Sequence, residues 1–228
     1  TGAAPEPIEM DGVDQNACLT VDTLTELTEL PRRLAVIGTG AAACQWAQAF
    51  GRFGSQVHLI GRDRTILPCQ DPAAAAMVQA QMEQDDVRLH LGCREPLIET
   101  MGNLQGVVIE QDGQKGKLLV DKILFCGPWR PNTAGLGLET AGVAYDGRGV
   151  VVDDWLRTTA PHIFAAGAVC GEEFVSPQAA EATARLAVHN ALCLMGWKLD
   201  RLVIPCCIYT KPAVAQVGLT RGAAADRQ

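Results

Sequence analysis

An α/β fold organised around a parallel sheet is predicted by three features of the sequence. The first is the apolar run Leu34-Ala35-Val36-Ile37, which passes through Gly38-Thr39-Gly40 straight into a helical stretch from Ala41 to Phe50. The second is Val57-His58-Leu59-Ile60, placed after that helix at the spacing of a strand–helix–strand unit. The third is Lys122-Ile123-Leu124-Phe125-Cys126-Gly127, whose continuous apolar run and terminal glycine fit a central parallel strand.

The glycine-pinched turn has the chemistry of a dinucleotide site. Gly38 suits a tight turn and Gly40 lets the backbone approach a pyrophosphate. Ala43 allows close packing of helix on strand. Across Thr39, Ala41 and Ala42 the helix start offers N–H donors to phosphates. Gly127, ending the later strand, would deliver backbone to the same crevice, since ligands sit at the carboxyl ends of parallel strands. This part of the chain therefore reads as a Rossmann-like NAD(P)-binding unit. Its ribose position carries Gly61-Arg62-Asp63-Arg64, where a fold preferring NAD would place an acid at the strand end. Arg62 and Arg64 suit a 2′-phosphate, which predicts NADPH over NADH. Solvated loop charge is the other reading of the two arginines.

Composition narrows the class. The 228 residues are 48% hydrophobic, enough for one large or two small domains. A net charge of −7 without a basic run argues against nucleic acid as a partner. No apolar stretch reaches membrane-spanning length. Thr1-Gly2-Ala3-Ala4-Pro5-Glu6-Pro7 lacks the charged start and apolar core of a signal peptide, so a cytoplasmic location is expected unless a leader has been removed. Nine cysteines are scattered without C-x-x-C spacing, and no metal site is assigned. Cys44, Cys126 and Cys193 lie in apolar runs that fit small buried hydrophobes. The Cys206-Cys207 pair reads as part of a strand, with a vicinal disulfide or a soft-metal site as the alternative.

Along the chain, residues 1–30 read as an irregular connector, with a short helix near 23–30 ended by Pro31. A second helix opens at Pro72 and runs to about Glu83. Val87-Arg88-Leu89-His90-Leu91 alternates like a strand. The segments 106–110 and 117–120 form a hairpin around Gln111-Asp112-Gly113-Gln114-Lys115-Gly116. Strands are expected at 149–153 and 163–168. A long helix follows from about Ser176 to Met195, with Ser176 as N-cap and Pro177 in its first turn. The last strand is expected at 204–209.

The order of Thr1-Gly2-Ala3, Leu30-Pro31, Gly38-x-Gly40-x-x-Ala43, Arg130-Pro131-Asn132, Thr158-x-x-Pro161-x-Ile163-Phe164-Ala165-x-Gly167 and Tyr209-Thr210-x-Pro212-x-Val214-Ala215-x-Val217-Gly218-Leu219-Thr220 resembles the pyridine nucleotide-disulfide oxidoreductases nearly end to end. The stretch from Leu138 to Val143 and on to Thr158 looks most like the mercuric reductase branch, with glutathione reductase close behind. The resemblance implies an NAD(P)-binding domain inserted in a partial FAD-binding domain of the glutathione reductase type. Residues 31–130 would be the insert, 1–30 and 131–200 parts of the FAD domain, and 201–228 the start of a dimerisation domain. Hydride would pass from NADPH to FAD and on to a disulfide, a metal ion or another small acceptor, in a homodimer. Thr1 and Gly2 would touch the FAD adenosine, and Gly167 would belong to the second flavin motif. The helix start at Gln178 and Ala179 would face the flavin pyrimidine ring. Gln45 falls where the family often has a glutamate near the nicotinamide.

Two departures bear on chemistry. The family's Gly-Asp is here Gly167-Ala168, which removes a carboxylate that accepts from a ribityl hydroxyl. That loss costs on the order of 1.5–3 kcal/mol, roughly ten- to a hundred-fold in affinity if uncompensated. The family's Gly-Arg before x-Pro-Asn reads Pro128-Trp129. The flavin glycine motif and paired redox cysteines would precede Thr1, so the chain looks like a segment and no catalytic residue is assigned within it. The alternative function is an NADPH-binding module that has lost flavin and redox catalysis; a soft-metal carrier using Cys206 and Cys207 is a weaker third.

Overall fold

The computed structural model describes residues 1–6, 18–102, 104–220, 222 and 224. In chain order the elements are β1 (Ala3–Pro5), β2 (Cys18–Thr20), β3 (Arg33–Ile37), α1 (Ala41–Phe53), β4 (Gln56–Ile60) and α2 (Pro72–Gln84). There follow β5 (Arg88–His90), β6 (Leu97–Met101), β7 (Leu104–Gln111), β8 (Gln114–Val120), β9 (Lys122–Phe125) and β10 (Trp129–Pro131). The chain continues with β11 (Tyr145–Asp146), β12 (Gly149–Val150), α3 (Pro177–Leu192), β13 (Cys206–Ile208) and β14 (Val214–Gln216), the last two pairing as a ribbon. Two compact units result: residues 1–6, 128–206 and 215–218 form one, and 7–127, 207–214 and 219–228 the other.

The second of these units is a five-stranded parallel sheet in the order β2-β9-β3-β4-β5. The chain leaves β3 through α1 and returns as β4, the strand–helix–strand step expected from the glycine turn. Leu34, Val36, Leu59 and Leu124 are fully buried, and so are Ala43, Cys44, Ala47, Val78 and Met82 of α1 and α2. Small residues on α1 let the helix lie close to the strands. Alternate residues Ala35, Ile60 and Ile123 join Ile98, Val107, Ile109 and Val120 of the antiparallel sheet β6-β7-β8 in one core. Both faces of the parallel sheet are thus covered, which is why its strands read as unbroken apolar runs.

The other unit pairs β1 with β10 and β11 with β12, both antiparallel, beside α3. Its core gathers Val143, Val150, Ala160 and Val169 in one cluster and Leu156, Leu186 and Ala187 in another.

Several expectations need correction. Residues 18–20 are not irregular: Cys18–Thr20 lies along β9 as an edge strand of the parallel sheet. Three residues are too few to show a period, and the ladder of β9 supplies the order. Residues 3–5 likewise form a strand only because β10 pairs with them. The expected helix at 23–30 is a single 3-10 turn, Thr23–Glu26, with Thr20 and Thr23 exchanging hydrogen bonds at its start. The hairpin is a three-stranded sheet, because Leu97–Met101 adds to it. Strand at 149–153 shrinks to Gly149–Val150, and at 163–168 to one bridge between Arg157 and Phe164 followed by a 3-10 turn, Gly167–Cys170. The long helix stops at Leu192, leaving Leu194 and Met195 exposed beyond it, and the last strand covers Cys206–Ile208. Of the three cysteines expected to be buried, Cys193 is exposed; Cys44 is buried, and Cys126 is half-buried as a residue with its thiol shielded from solvent. The rest of the connector, residues 7–17, lies outside the described residues.

Candidate functional site: a glycine turn at the head of α1

Gly38 leaves β3 at a φ of +135°, a conformation that side chains resist, and a Cβ there would stand 2.6 Å from the Cys126 carbonyl oxygen. The glycine is therefore required by the protein itself. Gly40 is different. Its φ of −73° suits any residue, and a Cβ would meet nothing within 4 Å. The space above Gly40 is open, and that is where a bound group would need the backbone bare.

Among the α-helices, α2 is capped by Asp71, whose carboxylate accepts from the Ala73 N–H at 2.9 Å, and α3 by Ser176, whose hydroxyl accepts from the Ala179 N–H at 3.1 Å. α1 starts at Gly40 with no side-chain cap. A helix N-terminus without an acceptor holds orphan N–H donors and partial positive charge, the conditions for binding a phosphate. The residues present therefore fit a pyrophosphate: Gly40 supplies room, Ala41 and Ala42 supply donors, and buried Ala43 holds the helix against the sheet. Gly127 is exposed and open next to this turn, one residue past Cys126, whose N–H donates to Ile37 O at 2.9 Å.

Thr39 joins the turn to the 61–67 loop. Its hydroxyl donates to the Asp63 carboxylate, and its carbonyl accepts from Leu67 N at 2.8 Å. Gly61 must be glycine, since a Cβ would collide with the Thr39 methyl group. Arg62 is exposed and pairs with Glu95, while Arg64 lies exposed in the same loop. Gly38, Thr39, Gly40, Ala41, Ala42, Ala43, Arg62, Arg64 and Gly127 are thus gathered at the carboxyl ends of β3, β4 and β9.

Gln45, one turn along α1, is committed within the protein. Its side-chain carbonyl accepts from the Tyr209 N–H at 2.6 Å. Buried Gln48 does the same one turn later: it accepts from Lys211 N at 2.7 Å and donates to Lys211 O and to Asp85, each at 2.8 Å. Two glutamines thereby hold the 209–211 segment on α1 as a strand edge would. Nothing local in the sequence marks Gln48, Asp85 or Glu95 for these roles.

In the other unit, Thr1 and Gly2 carbonyls accept from the Asn132 side chain and backbone at 3.3 and 2.9 Å. Gly167, at φ +74°, gives its N–H to the fully buried Thr183 hydroxyl at 3.1 Å, and Thr183 donates to Ala179 O at 2.7 Å. Ala168 follows without an acceptor side chain. At the head of α3, the Ala179 N–H is already used by Ser176, so Ala179 contributes helix dipole and no free donor; Gln178 stands half-buried beside it. A flavin placed here would find the Gly167 turn and no carboxylate beside it.

Cysteines and histidines elsewhere are shaped by burial. The thiols of Cys44 and Cys126 are pushed up to about 12, and that of Cys170 to about 11, by loss of solvent. His58 on β4 stacks on His90 of β5, ring nitrogens 2.9 Å apart, and burial lowers His58 to about 4, with His90 and Arg88 adding repulsion. Cys206 and Cys207 are free thiols in β13, as the strand reading expects. Among the described residues no helix is long and apolar enough to cross a membrane.

The comparisons with known proteins agree with this geometry. The model of the pyridine nucleotide-disulphide oxidoreductase family matches residues 1–190. A mercuric reductase of Staphylococcus aureus is 33% identical over 100% of this chain and 42% of its own length. A dihydrolipoyl dehydrogenase of Bacillus subtilis is 31% identical over 94% of this chain and 46% of its own. Among solved structures, the HOCl-induced flavoprotein disulfide reductase RclA of Escherichia coli superposes with a TM-score of 0.88 at 26% identity, covering 99% of this chain and 52% of that one. The chain thus spans about half the length of the relatives it matches. Its matched family, its α/β fold with a parallel sheet and its glycine turn coincide: the chain belongs to the pyridine nucleotide-disulphide oxidoreductases.

Proposed function

We propose that this chain is the nucleotide-binding portion of a flavoprotein oxidoreductase that takes hydride from NADPH, passes it to FAD and reduces a disulfide, a metal ion or another small acceptor. The observation that carries the reading is the uncapped head of α1 beneath an open Gly40. Family membership supports it. In this reading residues 31–130 bind NADPH, with the pyrophosphate on the N–H groups of α1 and the 2′-phosphate at Arg62 and Arg64. Residues 1–6 and 131–200 contribute to the FAD domain, Cys18–Thr20 lies in the sheet of the NADPH-binding unit, and 201–228 open a dimerisation domain, with a homodimer in the cytoplasm as the working form. Thr1, Gly2, Gly167 and Gln178 would lie against FAD. NADPH and FAD supply the hydride chemistry when bound. The chain's own share is to orient the dinucleotide: Gly38 and Cys126 set the turn, and Thr39 locks the ribose loop to it through Asp63.

Ala168 favours a second reading, a module that binds NADPH without flavin. The visible absorption spectrum of the purified full gene product, before and after NADPH, separates the two. Bound flavin that bleaches supports the reductase. A colourless protein that binds NADPH and fails to retain added FAD supports the module. Failure to bind NADPH at all would sink both.

A further inference from the structure

The ribose loop carries its own counter-charge. Arg62 and Arg64 share their loop with Asp63, and the Arg62 guanidinium is paired with the Glu95 carboxylate although both side chains are exposed, 69% and 60%. The pairing is built in by the backbone. The Gly61 N–H donates to His90 O at 2.9 Å, the Cys93 N–H to Gly61 O at 3.0 Å and the Gly92 N–H to Asp63 O at 2.8 Å. Residues 90–93 are strapped to residues 61–63, and exposed Glu95 lies two positions after buried Cys93 and just before buried Pro96. Asp63 is already held by the Thr39 hydroxyl, which leaves Glu95 as the anion on Arg62. From this juxtaposition of Glu95 with Arg62 in a strapped loop we infer that Glu95 tempers nucleotide choice, by occupying the cation that a 2′-phosphate would use.

The inference rests on the dinucleotide reading of the glycine turn. A 2′-phosphate arriving at Arg62 must displace the carboxylate or stand beside it, and either lowers the gain from the cation. A 2′-hydroxyl carries no charge and meets no such opposition. Glu95 therefore narrows the preference for NADPH that Arg62 and Arg64 create.

Titration of the full chain with 2′,5′-ADP and with 5′-AMP tests this, since the two probes differ only in the 2′-phosphate. Glu95→Gln is expected to tighten 2′,5′-ADP about two- to five-fold, the size of an exposed charge pair, and to leave 5′-AMP within about two-fold. In an Arg62→Gln background the same substitution should tighten 2′,5′-ADP by a clearly smaller factor, since only the direct repulsion between Glu95 and the phosphate is then relieved. A ratio of the two affinities that does not change in Glu95→Gln, or an equal gain with Arg62 removed, overturns the role of Glu95 while leaving the nucleotide site standing. Wild-type chain that binds neither probe nor NADPH overturns the dinucleotide reading itself, and the inference with it.

Discussion

A methyl group on Gly38 would stand 2.6 Å from the carbonyl oxygen of Cys126, so β3 and β9 approach each other where only a glycine fits. The two glycines of the turn should therefore separate stability from binding. Gly38→Ala, forced to adopt a φ of +135° against that carbonyl, is expected to cost about 3 kcal/mol or more in urea unfolding. Gly40→Ala meets open space at an ordinary φ and should cost no more than about 1 kcal/mol. It should nonetheless weaken NADPH about ten-fold or more, because its methyl group enters the space assigned to the pyrophosphate. Normal NADPH affinity in Gly40→Ala would remove the main support for the site.

Thr183 ties the Gly167 turn to α3 from a fully buried position. Thr183→Val keeps the shape and leaves the Gly167 N–H without its acceptor, at a cost of about 1–3 kcal/mol. Thr183→Ser, which retains the hydroxyl, should restore most of it. Denaturant midpoints of the two variants compare directly.

Stability should fall in mild acid because of His58. Unfolded, the imidazole takes up a proton near 6.5; folded, it does so only near 4, since burial and the neighbouring His90 and Arg88 disfavour its charge. Acid between those values therefore favours the unfolded chain, and the contribution is intact above pH 6.5 and lost as pH drops toward 4. His90 is shifted in the same direction and adds to the slope. His58→Gln should flatten the dependence by on the order of 1 kcal/mol across pH 7 to 4.5, measured by urea unfolding.

Thiol accessibility should divide sharply. Cys69 and Cys193 are exposed, whereas Cys44 and Cys126 are pushed to about 12 and Cys170 to about 11 by burial. Brief alkylation of the native chain at pH 8, read by peptide mass spectrometry, should label Cys69 and Cys193 first and spare Cys44, Cys126 and Cys170. Early labelling of Cys44 would show that α1 leaves the sheet under native conditions.

In the proposed flavin motif Ala168 takes the place of a carboxylate that would accept from the ribityl chain. Ala168→Asp should tighten FAD about ten- to a hundred-fold, the affinity equivalent of one charge-assisted hydrogen bond. Equilibrium dialysis or flavin fluorescence measures it, and an unchanged affinity would count against Gly167 as part of a flavin motif.

What the sequence by itself determined is local. Gly38, Gly40 and Ala43 between an apolar run and a helix, the β4 strand one helix later, Pro72 opening α2 and the Ser176-Pro177 start of α3 could all be read, because turn sterics, capping and period act within a few residues. The tertiary structure decided whatever depends on a distant partner. Cys18–Thr20 is a strand because β9 pairs with it, Arg62 is matched by Glu95, and Thr39 is tied to Asp63. Gln45 and Gln48 reach Tyr209 and Lys211 across more than 160 positions. Such contacts leave no period and no spacing in the sequence. They arise once the burial of Leu34, Leu59 and Leu124 has assembled the sheet and brought those side chains within reach.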